Sequence, residues 1–150
     1  MAEIIEIRDE EGGVLTANLH QLLEIVGKKG ASLVWSILDI EAVGHEEKFQ
    51  GDLPEMERQA AASPQGLIFK WEELVTLAES LSDVWNLLLV AAHSHESIPR
   101  LEYSATDFGH CEIVIECFDS TYWRVYARDD EIIRRLEQSF KDVTITPVNP

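Results

Sequence analysis

The stretch HCEIVIECFDSTYWRVYARDD, residues 110–130, decides the fold. Cys111, Ile113, Ile115 and Cys117 alternate with Glu112, Val114 and Glu116. Four residues further on, Trp123, Val125 and Ala127 alternate with Tyr122, Arg124, Tyr126 and Arg128. Period-two patterning on both sides of a polar turn is the mark of a β-hairpin. Register follows from matching faces, because a slip of one residue would turn every side chain over. A loop at Asp119-Ser120-Thr121 pairs Cys117 with Trp123, Ile115 with Val125 and Ile113 with Ala127 on the core face. A five-residue loop preserves the same pairs. The other face then sets Glu116 against Arg124, Val114 against Tyr126 and Glu112 against Arg128, and is expected at the surface. Such exposed pairs contribute only a few tenths of a kcal/mol, so they specify register more than stability.

The pairing also disposes of two tempting readings. A Tyr-Arg-Tyr-Arg stripe resembles a platform for nucleic acid, but each arginine already faces a glutamate. The two cysteines, six residues apart on one strand, stand roughly 20 Å apart at about 3.3 Å per residue. A disulfide needs Cα atoms within about 7 Å. Both read as small buried hydrophobes.

Outward from the hairpin, Asp129 and Asp130 offer a helix start, and Ile132, Ile133, Leu136 and Phe140 form its apolar stripe. Val143 to Thr146 reads as a final strand ended by Pro147. Towards the N-terminus, Ile4 to Ile7 reads as a strand. Thr16 is placed to cap a helix whose face is Leu19, Leu22, Leu23 and Val26, closed at Gly27, with Lys28 and Lys29 suited to its last turn. Leu33 to Val43 reads as a strand whose second half alternates Ile40 and Ala42 with Asp39 and Glu41. Residues 44–64 are the most polar stretch, with a short helix possible from Pro54. Gly66 to Phe69 reads as a short extended piece. Trp71, Leu74, Val75, Ala78 and Leu81 repeat at helical spacing. Asn86 to Ala92 has the bulk of a buried strand, though periodicity alone does not separate it from a buried helix segment, and residues 97–109 read as a loop. Together these predict a single α+β domain over residues 1–150. It has a mixed or antiparallel sheet, a C-terminal β-hairpin–helix–strand unit and about three to four helices.

Composition bounds the function. Of the 150 residues, 45% are hydrophobic and 27% charged, which suits an ordinary globular domain with a real core. Acids outnumber bases 28 to 12, for a formal charge of -16. That excess repels phosphates at long range, so neither nucleic acid nor an anionic membrane is expected as partner. It favours a partner with a basic patch. The N-terminus lacks the basic and apolar regions of a signal peptide, and Leu87 to Ala92 is too short to span a bilayer, so the reading is cytoplasmic. Neither the oligomeric state nor any cofactor is indicated.

Two functional readings follow. The first is an acidic protein-binding module, in its concrete form an inhibitor or immunity-type protein that blocks a basic toxin or nuclease. Its contact residues are expected at Asp39 and Glu41, in the loop with Glu46, Glu47, Asp52, Glu55 and Glu57, and at Glu72 and Glu73. The alternative is a small metal-dependent enzyme. If the strand ran on through His93 and His95, both imidazoles would point to one side. Glu96, Glu102, Asp107, His110 or Cys111 could then add a ligand. No nucleophile elbow and no phosphate-binding glycine loop is present.

Overall fold

The computed structural model describes residues 2–148. Nine strands and five α-helices follow one another along it. The N-terminal strand β1 (Glu3–Ile7) leads into a small two-stranded ribbon, β2 (Glu10–Glu11) and β3 (Val14–Leu15). Helix α1 (Leu19–Val26) buries Leu19, Leu22, Leu23 and Val26 as the spacing predicts. Its cap is Asn18 rather than Thr16: the Asn18 side chain accepts from Gln21 N at 3.0 Å, and Gln21 accepts from Asn18 N at 2.9 Å. This reciprocal box satisfies two donors, which a lone threonine two residues earlier would not. Gly27, at φ +62, closes the helix, and Lys28 and Lys29 open a separate four-residue helix, α2 (Lys28–Ala31), instead of ending α1.

Strand β4 (Val34–Gly44) is followed by α3 (Leu53–Ala62), the short strand β5 (Leu67–Phe69) and α4 (Trp71–Ser80). Strand β6 (Leu81–Ala92) starts five residues earlier than its apolar run suggests, and Leu81 belongs to it rather than to the helix. The reason is visible in its pairing with β4. The register shifts between Glu41 and Ala42 and again between Val43 and Gly44, leaving Trp85 and Ser82 as extra residues. Bulges break the two-residue period that would announce a strand. The chain ends with β7 (Ile113–Cys117), β8 (Trp123–Ala127), α5 (Asp130–Ser139) and β9 (Val143–Pro147).

Seven strands form one sheet in the order β5-β4-β6-β7-β8-β1-β9, and each adjacent pair is antiparallel. The hairpin register is the one derived from the sequence, from Cys117 opposite Trp123 to Ile113 opposite Ala127. The turn differs only in detail. Asp119 and Ser120 have φ of 54° and 56°, and Thr121 N donates to Phe118 O at 3.1 Å. Two left-handed central residues match the twist of the strands they join.

One face of the sheet is the main core. There Ile5, Ile7, Trp35, Ile37, Leu87, Leu89, Ile113, Ile115, Trp123 and Val125 pack against the apolar sides of α1, α4 and α5. The other face was expected to be open and is not. Leu38, Leu88, Val90, Val114 and Tyr126 lie beneath Ile98, Phe108 and Cys111 from the long segment 98–111. Phe108 stacks on Tyr126 at 4.0 Å between centroids. Cys111 therefore precedes the hairpin strand and packs into this second cluster, off the face of Ile113 and Ile115. Cys117 does occupy the core face, and both thiols are free and buried. Asp129 caps α5, donating partner Glu131 N lying 2.9 Å away. No helix among the described residues is long and apolar enough to cross a membrane.

Candidate functional site

Segment 98–111 is irregular, so its polar backbone groups need partners from side chains. Arg124 and Arg128 supply them, and Arg100 of the segment itself does the same for its neighbours. Arg100 donates to Leu38 O at 2.9 Å, to Ala60 O at 2.8 Å and to Ser63 O. Leu38 lies where the β4–β6 register shifts between Ile37 and Asp39. Arg100 thus satisfies a carbonyl released by a bulge and two at the end of α3. Arg124 donates to Ala105 O at 3.0 Å and pairs with Glu116, also at 3.0 Å. Glu116 is 3% exposed and accepts from Ser104 N at 3.1 Å. The ladder pair Glu116–Arg124 is therefore buried under the segment rather than solvated. Arg128 donates to Gly109 O at 2.9 Å and lies 3.4 Å from Glu112.

Beyond the end of this cover, the outer face reaches solvent. Asp39 and Glu41, two apart on β4, project there. Tyr103 Oη donates to Asp39 at 2.6 Å, and Asn86 Nδ2 donates to Glu41 at 2.8 Å. Burial, and then the hydrogen bond to Asp39, raise the Tyr103 phenol above its ordinary range and keep it a donor. The Tyr103 ring meets Phe118 edge-on at 5.3 Å. Asp119 N, next in the chain, donates to Asn86 Oδ1 at 2.8 Å. The contacts close a circuit: Asp39 to Tyr103, to Phe118, to Asp119, to Asn86, to Glu41 and back along β4.

Around this circuit, Phe118 is 52% exposed, Trp85 48% and Val43 39%. Trp85 sits in the bulge beside Asn86, and its carbonyl accepts from Ser120 N at 2.9 Å. Asp39 and Glu41 have neutral donors as partners. Among the described residues neither belongs to a salt bridge. Exposed rings and carboxylates without an ion-pair partner thus lie near one another on this part of the surface.

The other acids singled out in the sequence are spread out. Glu46 and Glu47 lie exposed in the turn after β4. Asp52 caps α3, and Glu55 in its first turn pairs with Arg58. Glu57 lies on the same helix, half-buried. Glu72 and Glu73 open α4, where Glu73 accepts from Lys70 N at 2.8 Å. Acids in first turns complement the helix dipole, so part of the acidity is helix chemistry. Sequence reasoning missed Tyr103, Asn86, Trp85 and Phe118. Phe118 could have been flagged as an apolar residue inside a turn; the others carry no local signal.

The strand that the histidine reading assumes does not run on through His93 and His95. Strand β6 stops at Ala92, the chain bends at His93 and Ser94, and His95–Ser97 forms a 3₁₀ turn. Ser94 and Ser97 hydroxyls meet at 2.9 Å, and Gln65 Nε2 donates to His95 O at 2.8 Å, which holds the turn. His93 Nε2 lies 3.2 Å from Glu112, and His110 is exposed in the loop before Cys111. Among the described residues no three His, Cys, Asp or Glu side chains gather as a metal ion requires.

Two cavities stand out among the described residues. One of about 520 Å³ lies beside Asp39, between Leu38, Leu88, Arg100 and Tyr103. The other, about 530 Å³, lies at the start of α1 and the end of α4, lined in part by His20, Lys48, Glu79, Asp83 and Trp123. Comparison with protein-family models, with curated proteins and with solved structures finds no match to this chain.

Proposed function

We propose that this chain is an acidic protein-binding module of the cytoplasm whose partner is a basic protein, in its concrete form an inhibitor of immunity type that covers a cationic toxin or nuclease. The observation that supports this is the circuit at the end of β4. There Asp39 and Glu41 are held by uncharged donors beside Phe118, with Trp85 close by. A carboxylate that the fold has already paired with lysine or arginine gains little from a partner's cation. These two are held by hydrogen bonds and have no cation paired with them among the described residues. Fixing them in advance lowers the ordering cost of association. The charge of -16 adds long-range attraction and speeds encounter with a basic surface.

Paired affinity capture tests the reading. The chain and its Asp39→Asn, Glu41→Gln variant are immobilised and exposed to the same lysate at low salt, then eluted with a salt gradient. A basic protein retained at stoichiometric yield by the first and lost from the second is the expected result. Equal retention on both, or no basic protein on either, goes against the reading.

A further inference from the structure

Two arginines of the chain lie over aromatic rings. Arg8 sits 4.3 Å from the Tyr122 centroid, and Arg124 sits 5.7 Å from that of Phe108. Each also meets a carboxylate: Arg8 contacts Glu6 at 3.4 Å and Arg124 contacts Glu116 at 3.0 Å. Lys29 bonds Asp129 and Glu131, and among the described residues the cations seen over rings are Arg8 and Arg124. The fold thus builds the same triple, guanidinium over ring and beside carboxylate, in two places. In the second half of β4 the same residue types lie near one another: Tyr103 joins Asp39 to Phe118, and Asn86 joins Glu41 to the backbone of Asp119. The guanidinium is the part not supplied among the described residues. Arg100, which lines the cavity next to Asp39, donates to the carbonyls of Leu38, Ala60 and Ser63 and forms no ion pair with Asp39 among the described residues.

We infer that the circuit of Asp39, Glu41, Tyr103 and Phe118 is a socket for an arginine side chain of the partner, chosen over lysine. The inference rests on the reading of the chain as a binder of basic proteins and adds which cation anchors it. Both cations satisfy a carboxylate. A planar, weakly hydrated guanidinium can also stack on an exposed ring while its fork of donors reaches the acids, whereas an ammonium is a compact, strongly hydrated point charge. An added stacking contribution of about 1 kcal/mol corresponds to about fivefold in affinity.

The test compares hexa-arginine with hexa-lysine peptides by calorimetry, and follows tryptophan emission, with Trp85→Phe assigning the signal of the exposed indole. The expected result is about fivefold tighter binding of the arginine peptide, with that preference abolished in Phe118→Leu and in Asp39→Asn, Glu41→Gln. Phe118→Leu keeps apolar bulk at the turn, and unchanged melting temperatures show that the variants are folded. Equal affinity for the two peptides, or a preference that survives both variants, overturns the socket while leaving a binder of basic partners in place. No binding of either peptide at low salt overturns the socket and the broader reading together.

Discussion

Glu116 shows how far one residue can depart from its expected place. The sequence pairs it with Arg124 and suggests a surface ladder, which would contribute only tenths of a kcal/mol. In the fold it is 3% exposed, and it binds both Arg124 and the backbone of Ser104. Removing one member of a buried pair strands the other's charge. Glu116→Ala is therefore expected to cost about 3 kcal/mol in urea denaturation. Replacing both partners together, Glu116→Leu with Arg124→Met, is expected to cost less than Glu116→Ala alone, since no charge is left buried. The cysteines give a second expectation. Burial pushes the thiols of Cys111 and Cys117 up to about 11. Alkylation of the native chain at neutral pH should accordingly be far slower than after unfolding. Pairing partners were legible because alternation fixes which residues face each other. Burial was not, because it depends on a segment with no periodicity.

At the scale of elements, the helices and the hairpin were legible where the period was clean: α1, α4, α5 and the register of β7 with β8. Where bulges interrupt β6, its first five residues were invisible. Segment 98–111 carries no pattern because side chains satisfy its backbone. Arg124, Arg128 and Glu116 do so at Ala105, Gly109 and Ser104, while Arg100 of the segment itself serves three carbonyls of β4 and α3. Arg100→Ala should cost about 1–3 kcal/mol and speed hydrogen exchange across the segment. A third contact responds to pH. Lys29 of α2 and Arg135 hold the Glu131 carboxyl down to about 2, against an ordinary value of 4.5. A depressed carboxylate contributes stability that is present above the unfolded value and lost as pH falls through the folded one. The melting temperature at low salt should therefore drop between pH 4.5 and 2, and drop less steeply in Glu131→Gln.

For the whole molecule, the balance of acids over bases was legible at once, and so were Asp39 and Glu41 as candidates, but what each acid is bound to was not. Several of the acids singled out in the sequence serve helix starts or ion pairs, as Asp52, Glu55 and Glu73 do. Asp39 and Glu41 differ because strands β4, β6 and β7 and the segment above them converge to hold them beside a ring. Tyr103 lies 64 residues from Asp39 and Asn86 lies 45 from Glu41, separations that no local pattern bridges. The most direct test of the account is the salt gradient at which a captured basic partner leaves the immobilised chain, measured for the wild type and for Asp39→Asn, Glu41→Gln. The account predicts that the variant, still folded, releases the partner at markedly lower salt than two fewer acids at Glu46 and Glu47 would cause. Elution of both double variants at the same salt would mean that only total charge matters, and would contradict it.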